Sequence, residues 1–442
     1  MSARARASTE RFDLDGGVVA LVEPFHAIPL VSIVVALRSG AAHDPPGKGG
    51  LTRLAMRMLR RGCEGMTADQ IEGAIDRLGA EMAVDTGAST VAVHAQVIGR
   101  SLEAFVDLLA RLLSTPTFPA DELERLKRES IAEIIESRDN DRAIAQKAFQ
   151  RAFFPDHPYG RTAGGTTTSV ASITQDDARA FWRKHVVRGN VVVGFAGDVS
   201  GAEASKLTLR LLAAIAQGAA LADPVPPPPV HEGRRLLFVD KPERTQTQIL
   251  LGTLGTSPHD ADHAALGVAN AIFGGTFTSR LMKEVRSKRG WSYGAYSRLG
   301  IDRQRQAFSI WTFPGADDAA KCIALELELY DGFVAKGITP RELAFIKRYL
   351  TRSHAFDIDT AAKRLHQALD VELLTLPADY YTGYLESVNA VTLDAANEAS
   401  RTRLSVDNLL AVVVGTASQI FEGVRDAIPR LASHSVVPFD AE

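Results

Sequence analysis

The stretch that decides the fold is Gly50–Gly62, which reads GLTRLAMRMLRRG. It follows the turn-forming sequence DPPGKG at residues 44–49 and is bounded by a glycine at each end. Glycine and proline mark the ends of helices and the turns that precede them. The segment therefore predicts a turn followed by a short helix, and that helix carries arginine at positions 53 and 57.

The two halves of the chain repeat one pattern around a proline-rich segment. Residues 223–230 read DPVPPPPV, which cannot form a helix or pair fully as a strand and predicts an extended linker. Glu122-Leu123 recurs as Glu342-Leu343, an offset of 342 − 122 = 220. The sequence VASIT of 170–174 corresponds to VNAVT of 388–392, at an offset of 218. Two markers at nearly one offset indicate a duplication, so we expect domains at 1–222 and 234–442 joined by a linker at 223–233.

Each half mixes strands with helices. Runs rich in β-branched residues predict strands, and they lie at Val31–Leu37, Val191–Phe195, Leu236–Val239 and Leu409–Val414. Apolar residues with helical spacing predict amphipathic helices at Leu102–Leu113 and Ala319–Phe333. The predicted fold class is α+β, a sheet with helices on one face, used twice and closed as a clamshell.

Composition indicates a globular protein without a nucleic-acid or membrane signal. The 442 residues include 50 Lys plus Arg and 53 Asp plus Glu, so no strong net field attracts nucleic acid or an anionic membrane. Cys63 and Cys322 are too few for a disulfide framework. Residues 1–15 contain no apolar run of signal-peptide length. We therefore expect a cytoplasmic protein.

The turn, short helix and closing glycine at 44–62 resemble those of the pitrilysin, insulinase and mitochondrial processing peptidase family of metallopeptidases. In that family the helix carries an inverted zinc motif, H-x-x-E-H. In this sequence Arg53, Met56 and Arg57 occupy the three motif positions, and Glu133 stands where the family has its third zinc ligand. The resemblance implies a degenerate zinc site.

These replacements remove the chemistry of zinc hydrolysis. Guanidinium groups have no lone pair to donate, and methionine cannot act as a general base. We therefore expect no cofactor and no peptidase activity in the isolated chain. Glu133 is either a solvated helix residue or, in the interpretation we favour, an ion-pair partner of Arg53 or Arg57.

A second motif of the same family remains in the second half. Arg286 and Tyr293 match its R-x-x-x-x-G-x-Y pattern, in which the pair holds a substrate carbonyl and stabilises the tetrahedral intermediate. A charged planar donor and a phenolic O–H suit that role because both can donate to a developing oxyanion. The alternative is that Arg286 is a surface helix residue and that Tyr293 packs in a core.

Two further features give weaker signals. The loop GGTFTSR at 274–280 suggests a phosphate-binding loop but lacks a Walker lysine. His259 and His263 have metal-ligand spacing, although we favour an ordinary helix start in which Asp260 and Asp262 complement the helix dipole.

The resemblance favours one function over two others. A chain with the Arg–Tyr pair and no zinc helix resembles the non-catalytic subunit of a two-subunit zinc metallopeptidase. It would act on peptide substrates in a heterodimer or heterotetramer with a zinc-bearing homologue. A scaffold or peptide-binding protein of the same fold is the first alternative, and a metal hydrolase built on His259 and His263 is the second.

Overall fold

A computed structural model describes residues 9–213 and 215–442. The part of segment 1–15 that precedes Thr9 lies outside these residues. The strands are β1 (Glu10–Leu14), β2 (Val18–Pro24), β3 (Leu30–Leu37), β4 (Gly62–Cys63), β5 (Met66–Thr67), β6 (Ala80–Thr86), β7 (Val91–Ile98), β8 (Val191–Gly197), β9 (Arg234–Asp240), β10 (Gln248–Leu254), β11 (Ala295–Leu299), β12 (Ala307–Thr312), β13 (Leu409–Gly415) and β14 (Leu431–Pro438).

The helices lie mainly between these strands. They are α1 (Leu51–Arg57), α2 (Ala68–Arg77), α3 (Leu102–Ser114), α4 (Ala120–Glu136), α5 (Asp141–Phe153), α6 (Thr167–Ser172), α7 (Gln175–His185), α8 (Gly201–Leu212), α9 (His263–Asn270), α10 (Ala319–Lys336), α11 (Pro340–Ser353), α12 (Ala361–Leu373), α13 (Tyr384–Ala390), α14 (Leu393–Arg403) and α15 (Ala417–Asp426). The predicted strands and helices are all present, and the predicted α+β class is confirmed.

Two six-stranded sheets share five strands in the same order and orientation. In the first sheet the order is β1-β2-β8-β3-β7-β6, and in the second it is β11-β12-β10-β13-β9-β14. The strands β2-β8-β3-β7-β6 correspond to β9-β13-β10-β12-β11, with one parallel pair, β2 with β8 or β9 with β13, and antiparallel pairing elsewhere. Helices α7 and α14 begin after the equivalent N-caps Thr174 and Thr392. The repeated sequence markers therefore correspond to repeated structure.

The chain forms two compact units, each of which includes a segment from the other half of the sequence. Unit one consists of the described residues up to Ile134, Arg161–Pro224 and Ala355–Leu376. Unit two consists of Ile135–Gly160, Val225–His354 and Pro377–Glu442. The boundary between Pro224 and Val225 falls within the proline-rich segment, where residues 216–232 contain neither helix nor strand. The segment Ile135–Gly160 of unit two carries α5, and the segment Ala355–Leu376 of unit one carries α12.

Helix α12 covers the face of the first sheet that lies opposite the main core of unit one. Its apolar stripe is Ala361, Leu365, Leu369 and Leu373, and it packs on buried residues of β2, β3 and β8. Gly194 makes room for this helix, because a Cβ there would lie 2.9 Å from Leu365 Cδ1. Helix α5 has the same role in unit two, where a Cβ on Gly252 would lie 2.3 Å from Phe149 Cζ. Each unit therefore completes a sheet with a helix from the other half of the sequence.

A buried acid lies in the core of unit two. Glu326 on α10 is fully buried beside Cys322, whose Sγ lies 3.6 Å from Glu326 Oε1. Burial raises the pKa of Glu326 to about 8, although hydrogen bonds from Thr312 and Cys322 act in the opposite direction. The carboxyl is thus held largely in its neutral form at neutral pH.

Replacing Leu365 by Ala should destabilise unit one by about 2–5 kcal/mol, because it removes a buried side chain from the only helix of the second half that covers this sheet in the described chain. His366→Ala is the matched control on the exposed face of α12 and should change stability by less than about 0.5 kcal/mol. Urea unfolding followed by circular dichroism measures both. Equal effects of the two substitutions would contradict the role assigned to α12.

Glu326→Gln should stabilise the protein increasingly as pH rises. An unfolded glutamate has a pKa of about 4.3, so the stability that Glu326 contributes is fully present below that pH and is lost as pH rises through its folded pKa of about 8. The difference between variant and unmodified protein should change by at most about 1.4 kcal/mol per pH unit. Thermal melting at pH 5, 7 and 9 tests this, and a constant difference would contradict it.

Candidate functional site

The helix α1 is held at its start by a buried aspartate. Asp44 accepts hydrogen bonds from the backbone N–H groups of Gly50 and Thr52, each at 2.8 Å, and from the Thr52 hydroxyl at 2.6 Å. Burial raises the pKa of Asp44 to about 6 against these hydrogen bonds. Gly50 has φ of 93°, and a Cβ there would lie 2.9 Å from the Gly164 carbonyl oxygen. The turn that the sequence predicted thus fixes the direction of α1.

Glu133 forms ion pairs with both Arg53 and Arg57. Its Oε2 lies 2.8 Å from Arg53 Nη2, and its Oε1 lies 2.9 Å from Arg57 Nη2. Arg57 Nη1 also donates to Glu133 Oε2 at 3.2 Å and to the Ser130 hydroxyl at 3.3 Å. Partial burial raises the pKa of Glu133, but the two arginines outweigh it and lower the pKa below its usual value. The ion pairing expected for Glu133 is therefore present.

Met56, which stands at the glutamate position of the H-x-x-E-H pattern, is part of the core. Met56 is 1% exposed and packs in the main hydrophobic cluster of unit one. A general base must reach solvent or substrate, whereas this side chain reaches neither. Met56 therefore cannot act as a general base, either by its chemistry or by its position.

Further charges tie the turn that follows α1 to its surroundings. Beyond Glu133, the Arg61 guanidinium lies 2.6 Å from Glu129 and 3.4 Å from Glu122 of α4, and Arg60 pairs with Glu72. These side chains are partly exposed, so each pair contributes little stability by itself. The arginines of α1 and of the turn after it are thus paired with neighbouring glutamates.

The residues at 53, 56, 57 and 133 do not fit a zinc ion. Two guanidinium groups already occupy the carboxylate that would be the third ligand, and neither can donate a lone pair to a metal. In residues 9–213 and 215–442, no group of three or more His, Cys, Asp and Glu side chains is arranged to hold a metal ion.

Arg286 lies between two aromatic rings in unit two. Its guanidinium carbon is 4.3 Å from the centre of the Tyr293 ring and 4.8 Å from the centre of the Phe277 ring. Tyr293 is 74% exposed and Phe277 is 65% exposed. Tyr293 is thus not a core residue, and the sequence motif is brought together in space. Such cation–π contacts fix the plane of the guanidinium without using its N–H donors.

The backbone around this cluster has an unusual form. Two π-helical turns, Ala271–Gly275 and Met282–Ser287, flank the GGTFTSR loop, and the second carries Arg286. Gly274 is required there, because a Cβ would lie 2.5 Å from the Ser297 backbone nitrogen. π-Helical turns are rare and often occur at functional sites.

His259 and His263 do not form a pair of ligands. Helix α9 begins at His263, so His259 lies outside it and is exposed. His263 is buried, with its ring nitrogens 2.9 Å from the Thr256 hydroxyl and 2.9 Å from the Tyr380 hydroxyl. Asp260 and Asp262 precede the helix and pair with Arg403. Their expected place in the first turn of the helix was wrong, because the helix starts later.

Phe277 is the site residue that the sequence reasoning missed. Its only signal was an aromatic residue inside a loop of small polar residues, which does not predict a contact with a side chain nine positions later. Phe277 lies between the two π-helical turns, and its ring is 4.8 Å from the guanidinium carbon of Arg286.

Two family models match the chain. The model described as insulinase (peptidase family M16) matches residues 20–167, and the model described as peptidase M16 inactive domain matches residues 172–350. The chain belongs to peptidase family M16. Among its M16 relatives, a Helicobacter pylori protein named non-peptidase homolog YmxG is 23% identical over 415 residues, which cover 94% of this chain and 95% of that protein.

Other proteins are similar over most of the chain. An uncharacterized zinc protease of Mycobacterium leprae is 29% identical over 340 residues, 76% of each chain. A crystal structure described as peptidase M16 inactive domain from Pseudomonas fluorescens has a TM-score of 0.85 at 26% identity, covering 92% of this chain and 98% of that chain. With arginines in place of the motif histidines, this chain is an inactive-type M16 member. No helix in its described residues has the length and apolar character needed to cross a membrane.

Replacing Arg53 and Arg57 by histidine should create a zinc site, because Glu133 already lies next to both positions and two imidazoles with one carboxylate are a zinc ligand set. Elemental analysis should give about one zinc per chain for the double variant and none for the unmodified protein. The control adds Glu133→Gln, which removes the third ligand. Stoichiometric zinc in the unmodified chain would contradict the degenerate-site interpretation.

Proposed function

We propose that this chain is the non-zinc-binding subunit of a heteromeric metallopeptidase and that it contributes Arg286 and Tyr293 to a substrate bound with a zinc-bearing homologue. This proposal is supported by the hydrogen-bond donors of Arg286 and Tyr293. Within the described chain, the Arg286 guanidinium has ring contacts but no hydrogen-bond or ion-pair partner, and the exposed Tyr293 hydroxyl also has none.

This arrangement suits the binding of a peptide carbonyl. The rings of Phe277 and Tyr293 hold the guanidinium plane, so little conformational entropy is lost when its N–H groups donate to a carbonyl oxygen. As a carbonyl becomes tetrahedral its oxygen gains negative charge, and the same donors then bind it more strongly. The partner's zinc would supply the activated water, which no residue at positions 53, 56 and 57 can do.

The M16 assignment supports a division of labour between chains. A chain whose own motif helix is neutralised by Glu133 cannot use Arg286 and Tyr293 for hydrolysis by itself. In this proposal the chain has no peptidase activity alone and forms a heterodimer or heterotetramer with the zinc subunit. We place it in the cytoplasm, where the thiols of Cys63 and Cys322, both buried and free, remain reduced.

Tyr293→Phe should lower the turnover of the mixed complex about a hundredfold, because it removes one donor to the oxyanion. Arg286→Ala should lower it as much or more. The control is Tyr296→Phe, which removes the same hydroxyl from another exposed tyrosine outside the cluster. Peptide cleavage is measured after mixing with a purified zinc-bearing M16 homologue, and assembly is checked by analytical ultracentrifugation.

One result would overturn the proposal. If both variants assemble with the partner and the complex cleaves peptides at the unmodified rate, the pair has no catalytic role. The scaffold or peptide-binding alternative would then be favoured.

A further inference from the structure

A groove lies beside the Arg286 cluster in unit two. It has a volume of about 980 Å³, at the upper end of the range for ligand-binding pockets. Ile272, Leu329 and Ile346 contribute apolar surface, and Phe277 and Phe345 stand at its sides. These two phenylalanines are 65% and 46% exposed. Large exposed aromatic side chains grouped around a cavity are typical of interaction sites rather than of ordinary surface. We call this site the Phe277–Phe345 groove.

The rim of the groove carries an excess of positive charge. Arg280 is paired with Glu342, and Lys288 is paired with Glu284. The remaining rim cations, Lys283 and Arg341, are exposed, and their side chains have no ion-pair or hydrogen-bond partner among the described residues. Two uncompensated cations next to an apolar floor complement a ligand that is both acidic and apolar.

The groove is physically joined to the proposed carbonyl-binding pair. Phe277 lines the groove, and its ring also contacts the Arg286 guanidinium at 4.8 Å. An extended peptide advances about 3.3 Å per residue, so a peptide held by Arg286 would place a neighbouring side chain against Phe277 within one or two residues.

The equivalent surface of unit one carries ion pairs. Glu122 and Glu342 occupy equivalent positions in the duplication, and each accepts from an arginine, Arg61 or Arg280. One turn further along the two helices, unit one has Arg125, whereas unit two has the exposed Phe345. Arg125 pairs with Glu122 and Glu129 of its own helix. The duplicated site thus has ion pairs in one unit and an aromatic groove in the other.

We propose that the Phe277–Phe345 groove binds the acidic, apolar segment of a peptide substrate, namely a large apolar side chain flanked by Asp or Glu. The inference deepens the proposed function and rests on it for the role of Arg286, since the groove then selects the residues beside the carbonyl that the pair holds. The apolar side chain packs between the two phenylalanines, and the flanking carboxylates lie near Lys283 and Arg341.

The test uses the isolated full chain and a short fluorescein-labelled peptide with a central Leu-Phe pair flanked by Asp and Glu. Fluorescence anisotropy should show binding that weakens as salt is raised. The double variant Lys283→Glu, Arg341→Glu should bind at least about tenfold more weakly. Phe345→Ser should also weaken binding while leaving the salt dependence in place. The matched control, Lys321→Glu with Arg401→Glu, makes the same charge change at exposed sites outside the groove.

Three outcomes would overturn the proposal. The peptide does not bind, a peptide with Lys in place of Asp and Glu binds equally well, or the groove and control variants lose affinity equally. If charge reversal instead disrupts assembly with a zinc-bearing homologue or a second copy while peptide affinity persists, the groove is a subunit interface and the proposal is wrong. Circular dichroism confirms folding of each variant. The anisotropy measurement uses the isolated chain without a zinc subunit. Its outcome is therefore independent of the Tyr293→Phe turnover test.

Discussion

The architecture depends on the need to cover two sheets on both faces. Strands β8 and β13 are buried along their whole length, and strands at the centre of a sheet with both faces apolar require packing on each side. The first cover comes from the helices of the same half. The second comes from α12 for the first sheet and from α5 for the second. Each half of the sequence contains a complete set of the repeated strands. Each sheet nevertheless needs one helix from the other half to cover its second face, so the two halves depend on each other for folding.

Packing against the core, together with a buried aspartate at its start, also explains the shape of α1. The Asp44 cap fixes its start, and Leu54 and Met56 anchor it in the core of unit one. Its outer face is free to change as long as the charge is balanced. Arginine at 53 and 57 would leave two cations about one turn apart, which repel each other. Glu133 neutralises both, so a carboxylate suited to a metal serves here as the counter-ion of two side chains.

The sequence predicted what is local or repeated. Strand and helix runs, the glycine-bounded helix and the duplication offsets follow from residue type and spacing, whereas the pairing of Glu133 was expected from the family resemblance. The exchange of α5 and α12 could not be predicted, because a stripe such as Ala361, Leu365, Leu369 and Leu373 shows that a helix is covered and not which sheet covers it. The Arg286–Tyr293 spacing suggested that these two side chains are close. The contact of Arg286 with Phe277 depends on the two π-helical turns, which the residue pattern does not indicate.

The two units show how a duplicated frame can diverge in electrostatics while its backbone is retained. At the surface formed by α1 and α4 the side chains are arginine and glutamate in mutual ion pairs. At the corresponding surface of α11 the side chains are aromatic and cationic, and part of their bonding capacity is unused. Unsatisfied donors on an exposed surface cost little because water solvates them, and they remain available to a ligand. The donors that a ligand could use therefore lie in the unit that carries Arg286, whereas the charges on α1 and α4 of the other unit are engaged in ion pairs.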